Sequence, residues 1–108
     1  MAKPRIKLPE SARVGEIIEI RAIIQHIMET GNRKDANGQI VPRDIIHTFI
    51  AKFANQVIFR GAFGPGIASN PSLAFYLKVP GPGQLELTWI DDHNITTIER
   101  LPLNVVDA

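Results

Sequence analysis

From Gln84 to Ile90 the chain sets Leu85, Leu87 and Trp89 on one side of an extended backbone and Glu86 and Thr88 on the other. This two-residue period recurs along most of the sequence. Between Glu16 and Gln25, Ile18, Ile20, Ala22 and Ile24 share one face, while Ile17, Glu19, Arg21 and Ile23 share the other. Asp44 to Ala54 alternates Ile45, His47, Phe49, Ala51 and Phe53 against Ile46, Thr48, Ile50 and Lys52, and Asn55-Gln56 turns it into Val57 to Arg60. Leu73, Phe75, Leu77 and Val79 repeat the pattern before Pro80-Gly81-Pro82-Gly83. Arg5 to Leu8 forms an edge element ended by Pro9, and Ile95 to Leu101 forms a return strand limited by Pro102. A helical spacing is met only locally, at Ile23, Ile24, Ile27 and Met28.

Eight glycines and eight prolines, most of them between the apolar segments, punctuate the chain at strand-like intervals. The pattern predicts an all-β chain: an immunoglobulin-like two-sheet β-sandwich of about seven strands. Residues 1–108 are expected to form a single domain. Trp89 is expected in the core, where its indole N–H needs a partner.

Composition narrows the function classes. The formal charge is +1, with the basic residues scattered, so there is no stripe that could follow phosphates and nucleic acid is not an expected partner. Apolar runs such as Val57-Ile58-Phe59 are far too short to span a bilayer, so membrane insertion is not expected. Met1-Ala2-Lys3-Pro4-Arg5 is not followed by a secretory apolar stretch, which by itself favours the cytoplasm. The absence of cysteine excludes disulfides, thiolate metal ligands and a cysteine nucleophile.

His26, His47 and His93 show none of the short spacings of zinc motifs. A site gathered from separate loops is one alternative, with His26, Asp91, Asp92 and His93 as ligands of a non-haem metal. The turn chemistry of Asp91-Asp92-His93-Asn94 explains those residues equally well. No serine lies in a nucleophile elbow, and Gly64-Pro65-Gly66 is no phosphate loop. The largest irregular region is Glu29 to Arg43. With His26, Ile27 and Met28 before it, it combines a thioether, a histidine and charged groups in the manner of a recognition surface.

Four segments carry a resemblance across nearly the whole chain: Gly15-Glu16-Ile17-Ile18-Glu19-Ile20-Arg21, Met28-Glu29-Thr30-Gly31 through Arg33-Lys34-Asp35, Asn70-Pro71-Ser72-Leu73-Ala74-Phe75, and Trp89-Ile90-Asp91-Asp92. Together they resemble the SoxZ family, the Z subunits of the sulfur-compound carrier complex in bacterial thiosulfate oxidation. The family motif has a proline where this chain has Ile27, which restores a backbone N–H and frees His26 from the restriction before proline.

The resemblance implies a non-catalytic chain with no cofactor and no metal. It implies a heterodimer with a SoxY-like subunit, whose C-terminal cysteine carries the sulfur intermediates and visits the pathway enzymes. It also implies a periplasmic location, reached without a signal of its own by co-transport with that subunit. Partner binding is then expected at His26, Met28, Glu29, Thr30, Gly31, Arg33, Lys34, Asp35, Asn70 and Pro71. Two alternatives remain open at this point, a metal-dependent redox enzyme and a generic strand-binding sandwich domain.

Overall fold

The computed structural model describes residues 4–64, 66, 67 and 69–106, so the leader reading at Met1 to Lys3 and the Pro65 of the Gly-Pro-Gly segment lie outside the described residues. Nine strands are described: β1 (Pro4–Lys7), β2 (Ala12–Arg13), β3 (Ile17–Ile24), β4 (Ile46–Phe53), β5 (Gln56–Ala62), β6 (Ser72–Lys78), β7 (Gly83–Asp91), β8 (Thr96–Leu103) and β9 (Val105–Val106). They form three sheets, ordered β1-β3-β6, β2-β9 and β5-β4-β7-β8. This corrects the expected immunoglobulin-like sandwich of two sheets: the chain is all-β, but a third, parallel sheet is present. The physical reason is pairing at a distance. β2 and β9 are two residues each, too short to show any period, and Ala12 N–H donates to Asn104 O at 2.9 Å from the far end of the sequence.

Alternation becomes burial where the larger sheets meet. Ile18, Ile20, Ala22 and Ile24 of β3 join Phe75 and Leu77 of β6, Phe49, Ala51 and Phe53 of β4, and Leu85, Leu87 and Trp89 of β7 in one core. Each fully buried large side chain there contributes about 1.5–3 kcal/mol relative to exposure. Phe49 lies 5.2 Å from the Trp89 ring and 5.9 Å from Phe75, both tilted, so aromatic contacts span the sheets.

Strict alternation fails at the start of β4. The β4–β7 register shifts between Ile46 and Thr48, and the irregularity lets the consecutive Ile45 and Ile46 both turn inward. The β4–β5 hairpin turns on Ala54 and Asn55, both at positive φ (50° and 67°), the twist that a tight antiparallel hairpin requires. No helix among the described residues is long and apolar enough to cross a membrane.

Candidate metal centre

β3 ends at Ile24, β4 begins at Ile46 and β7 ends at Asp91, and the antiparallel β4–β7 ladder sets Ile46 opposite Asp91. These ends converge, so His26, just past β3, and Asp44, just before β4, meet Asp91. One ligand atom from each lies within 4.8 Å of the others. His26 Nε2 is 3.7 Å from Asp44 Oδ1 and 3.8 Å from Asp91 Oδ2, and His93 Nε2 is 3.5 Å from the same Asp44 oxygen.

Each side chain is held by its own stretch of backbone. Asp91 Oδ1 accepts from His93 N and Ile95 N, both at 2.9 Å, which closes the β7–β8 turn and leaves Oδ2 for the cluster. Asp44 is fixed by a reciprocal pair with Glu29, each backbone N–H donating to the other's carbonyl at 2.8 Å. His26 N donates to Asn70 Oδ1 at 2.9 Å, and Asn70 N donates to His26 O at 2.7 Å. Met28 N donates to His26 Nδ1 at 3.0 Å.

Among the described residues, two buried side-chain polar atoms lack a hydrogen-bond partner, Asp44 Oδ1 and Trp89 Nε1. Both residues line a cleft of about 810 Å³ that also contains His26, Asp91, Ile98 and Glu99, and among the described residues no lysine or arginine lines it. Asp92 turns away from the cluster. Burial works against ionising its carboxylate, but hydrogen bonds from Arg43 and Ile45 N–H, with the charges of Arg43 and His47, outweigh burial and hold it below the ordinary 3.8. Arg43 grips it in a two-pronged contact at 2.8 and 2.9 Å.

Of the residues expected to bind a partner, Arg33, Lys34, Asp35 and Asn70 are exposed and the others are partly or fully buried. His26 and Asn70 line the cleft. Met28 is 4% exposed, and Pro71 is buried with its carbonyl accepting from Ile24 N. Arg33 pairs with Glu29 at 2.7 Å, and the Arg33 hydrogen bonds lower the Glu29 pKa. Thr30 Oγ1 accepts from Asn32 N, Gly31 packs against Arg43, and Asp35 Oδ1 accepts from Asn37 N and Gln39 N. Lys34 forms an isolated bridge with Ile40. His47, half-buried in β4, has its Nδ1 2.7 Å from Thr48 Oγ1 and stands outside the cluster.

Of the loop-assembled ligand set considered from sequence, His26 and Asp91 meet, His93 approaches Asp44, and Asp92 is diverted to Arg43. Asp44 was missed. Its placement follows from pairing between segments that no local pattern displays.

The fold and the cluster define an all-β protein with a histidine–carboxylate ligand group at converging strand ends. The fold is shared with the superoxide reductase (neelaredoxin) of Ignicoccus hospitalis, at a TM-score of 0.72 and 20% identity over 95% of this chain and 80% of that one. It is shared with a protein of Thermotoga maritima provisionally assigned as a superoxide reductase (TM-score 0.66, 13% identity, 95% and 85% covered). The CARDB domain of a Pyrococcus furiosus protein, in complex with di-metal ions, is also similar (TM-score 0.59, 14% identity, 100% and 94% covered). A sequence comparison with curated proteins gives no match. The chain belongs to the family described as Sulphur oxidation protein SoxZ, whose model matches residues 6–101.

Sequence-family membership does not carry the rest of what the resemblance implied. The expected carrier identity, a non-catalytic half of a heterodimer with a SoxY-like subunit, is overturned by the His26–Asp44–Asp91 ligand cluster together with the neelaredoxin-type fold. The resemblance placed the chemistry on a partner's cysteine, which the absence of cysteine in this chain was consistent with. The alternative set of nitrogen and oxygen donors needs no cysteine, and it is brought together only by folding.

Proposed function

We propose that this chain is a metal-dependent redox enzyme whose ion is held by His26, Asp44 and Asp91, with His93 beside Asp44. The observation that carries the reading is Asp44 Oδ1, a buried carboxylate oxygen without a hydrogen-bond partner that faces two imidazole nitrogens at 3.5 and 3.7 Å. An unpaired buried acceptor is costly, and these separations are too long for hydrogen bonds. They are close to the roughly 3.3–3.6 Å between donors sharing one ion at metal–ligand distances of about 2.0–2.2 Å. Two carboxylates also supply the charge that balances a divalent cation.

An iron or manganese ion suits such nitrogen and oxygen donors and, when bound, would supply one-electron chemistry. The chain's own residues set the conditions around it. Asp91 keeps Oδ2 directed inward because Oδ1 is committed to the turn. Asn70 fixes the backbone on either side of His26. Trp89 and Ile98 give the cleft apolar walls that limit water. Among the described residues no lysine or arginine lines the cleft, so it is the ion that would attract an anionic substrate.

The superoxide reductases that share the fold make superoxide the first substrate to assay. Protein loaded anaerobically with iron(II) or manganese(II), then desalted, is expected to retain about one ion per chain by elemental analysis and, supplied with a chemical reductant giving one electron per superoxide, to convert superoxide to hydrogen peroxide with two protons from solvent. His26→Ala is expected to lose both the ion and the activity. Failure of the wild-type chain to retain either metal would end this reading.

A further inference from the structure

Met28 holds a conformation that a long side chain seldom adopts. Its φ is +57°, in the left-handed region, and it is nevertheless 4% exposed. Two contacts keep it there. Its N–H donates to His26 Nδ1 at 3.0 Å, and its thioether sulfur accepts from Ile46 N at 3.3 Å, tying the residue to the first position of β4. A residue in an uncommon backbone region persists only where its surroundings hold it, and such positions cluster at functional sites.

The direction of the first hydrogen bond has a consequence for the ligand cluster. A neutral imidazole has one nitrogen that donates and one that accepts. Because Nδ1 accepts from Met28, the ring proton lies on Nε2, the nitrogen that faces Asp44 and Asp91. An ion bound at Nε2 needs the lone pair there, which moves the ring proton to Nδ1. Metal-bound histidines ordinarily donate from that second nitrogen to an acceptor. Here Nδ1–H would meet the Met28 N–H, donor against donor.

We infer that metal binding at His26 displaces Met28, so that occupancy of the cluster is coupled to the conformation of the segment running from Met28 to Asp44. Met28 is thus a positioning residue: in the ion-free chain it selects the tautomer of His26, and its release accompanies loading. The inference rests on the metal reading above. Displacement would relieve the left-handed backbone and forfeit the Ile46 N–H to sulfur bond, so that bond opposes loading.

The test uses the full chain, labelled with ¹⁵N, and zinc(II) as a diamagnetic probe. Long-range ¹H–¹⁵N spectra are expected to show the Nε2–H form of His26 without zinc and the Nδ1–H form with one equivalent. The Met28, Glu29 and Asp44 amide signals should move while those of Arg100, Leu101 and Leu103 in β8, away from the cleft, stay fixed. Zinc bound at His26 with the Met28 amide unmoved would overturn the coupling and leave the metal reading standing. No zinc binding by calorimetry, with all histidine signals unchanged, would overturn both. Met28→Leu keeps the bulk and the N–H but removes the sulfur acceptor, and is expected to bind zinc about two- to fivefold more tightly. Equal or weaker binding by a folded Met28→Leu chain would count against the coupling.

Discussion

Trp89 is 1% exposed, and its indole N–H has no partner among the described residues. Its apolar area therefore contributes stability while its donor subtracts from it. Trp89→Ala is expected to cost about 3–5 kcal/mol in chemical denaturation, through lost packing against Phe49 and the cavity left behind. Asp92 gives the acid response a defined sign. Its native pKa lies below the ordinary 3.8, so its contribution is fully present above that value and is lost as the pH falls through the native one. Asp92→Asn should therefore lower the urea midpoint at pH 7 and narrow the drop between pH 7 and pH 3 that the wild type shows. At this scale the sequence offered His26, Asp91 and His93 by residue type alone, but could not separate Asp91 from Asp92. Only the fold shows that one neighbour faces the cluster and the other faces Arg43. Asp44 was illegible because it precedes a strand at the end of a polar loop and carries no spacing signal.

The longer strands were legible because each buries one face, so their period of two is a direct record of the core: the Leu85, Leu87 and Trp89 side of β7 is buried as the alternation implies. What alternation cannot reveal is which strands pair. The β4–β5 hairpin is marked by its turn, but the pairing of β3 with β1 and β6, of β4 with β7, and the third sheet leave no trace in local sequence. Close packing also hides from composition. Gly83 opens β7, and a Cβ placed there would lie 2.9 Å from two ring carbons of Phe53 and 3.2 Å from Ala54. Gly83→Ala should force the buried Phe53 off its position and destabilise the chain by about 1–3 kcal/mol, read from the denaturation midpoint. The penalty should shrink in a Phe53→Leu background, since the smaller side chain removes the clash.

For the molecule as a whole, ligand linkage gives a test of site occupancy that does not depend on turnover. An ion that binds only the folded chain stabilises it by about 2.7 kcal/mol at a hundredfold excess over Kd. For a domain near this size each kcal/mol raises the melting temperature by about 4–8 °C. Manganese(II) should therefore produce a clear upward shift in the wild type and none in His26→Ala or Asp44→Ala, as measured by calorimetric melting. The parallel pairing of Ala12 with Val105 bears on a different stage of the protein's life. On a ribosome, residue 12 emerges long before its partner has been made. A nascent chain must hold that edge open until β9 has been made and has left the ribosome. Closing this sheet thus waits on a strand made more than ninety residues later, after every strand between the two has been synthesised.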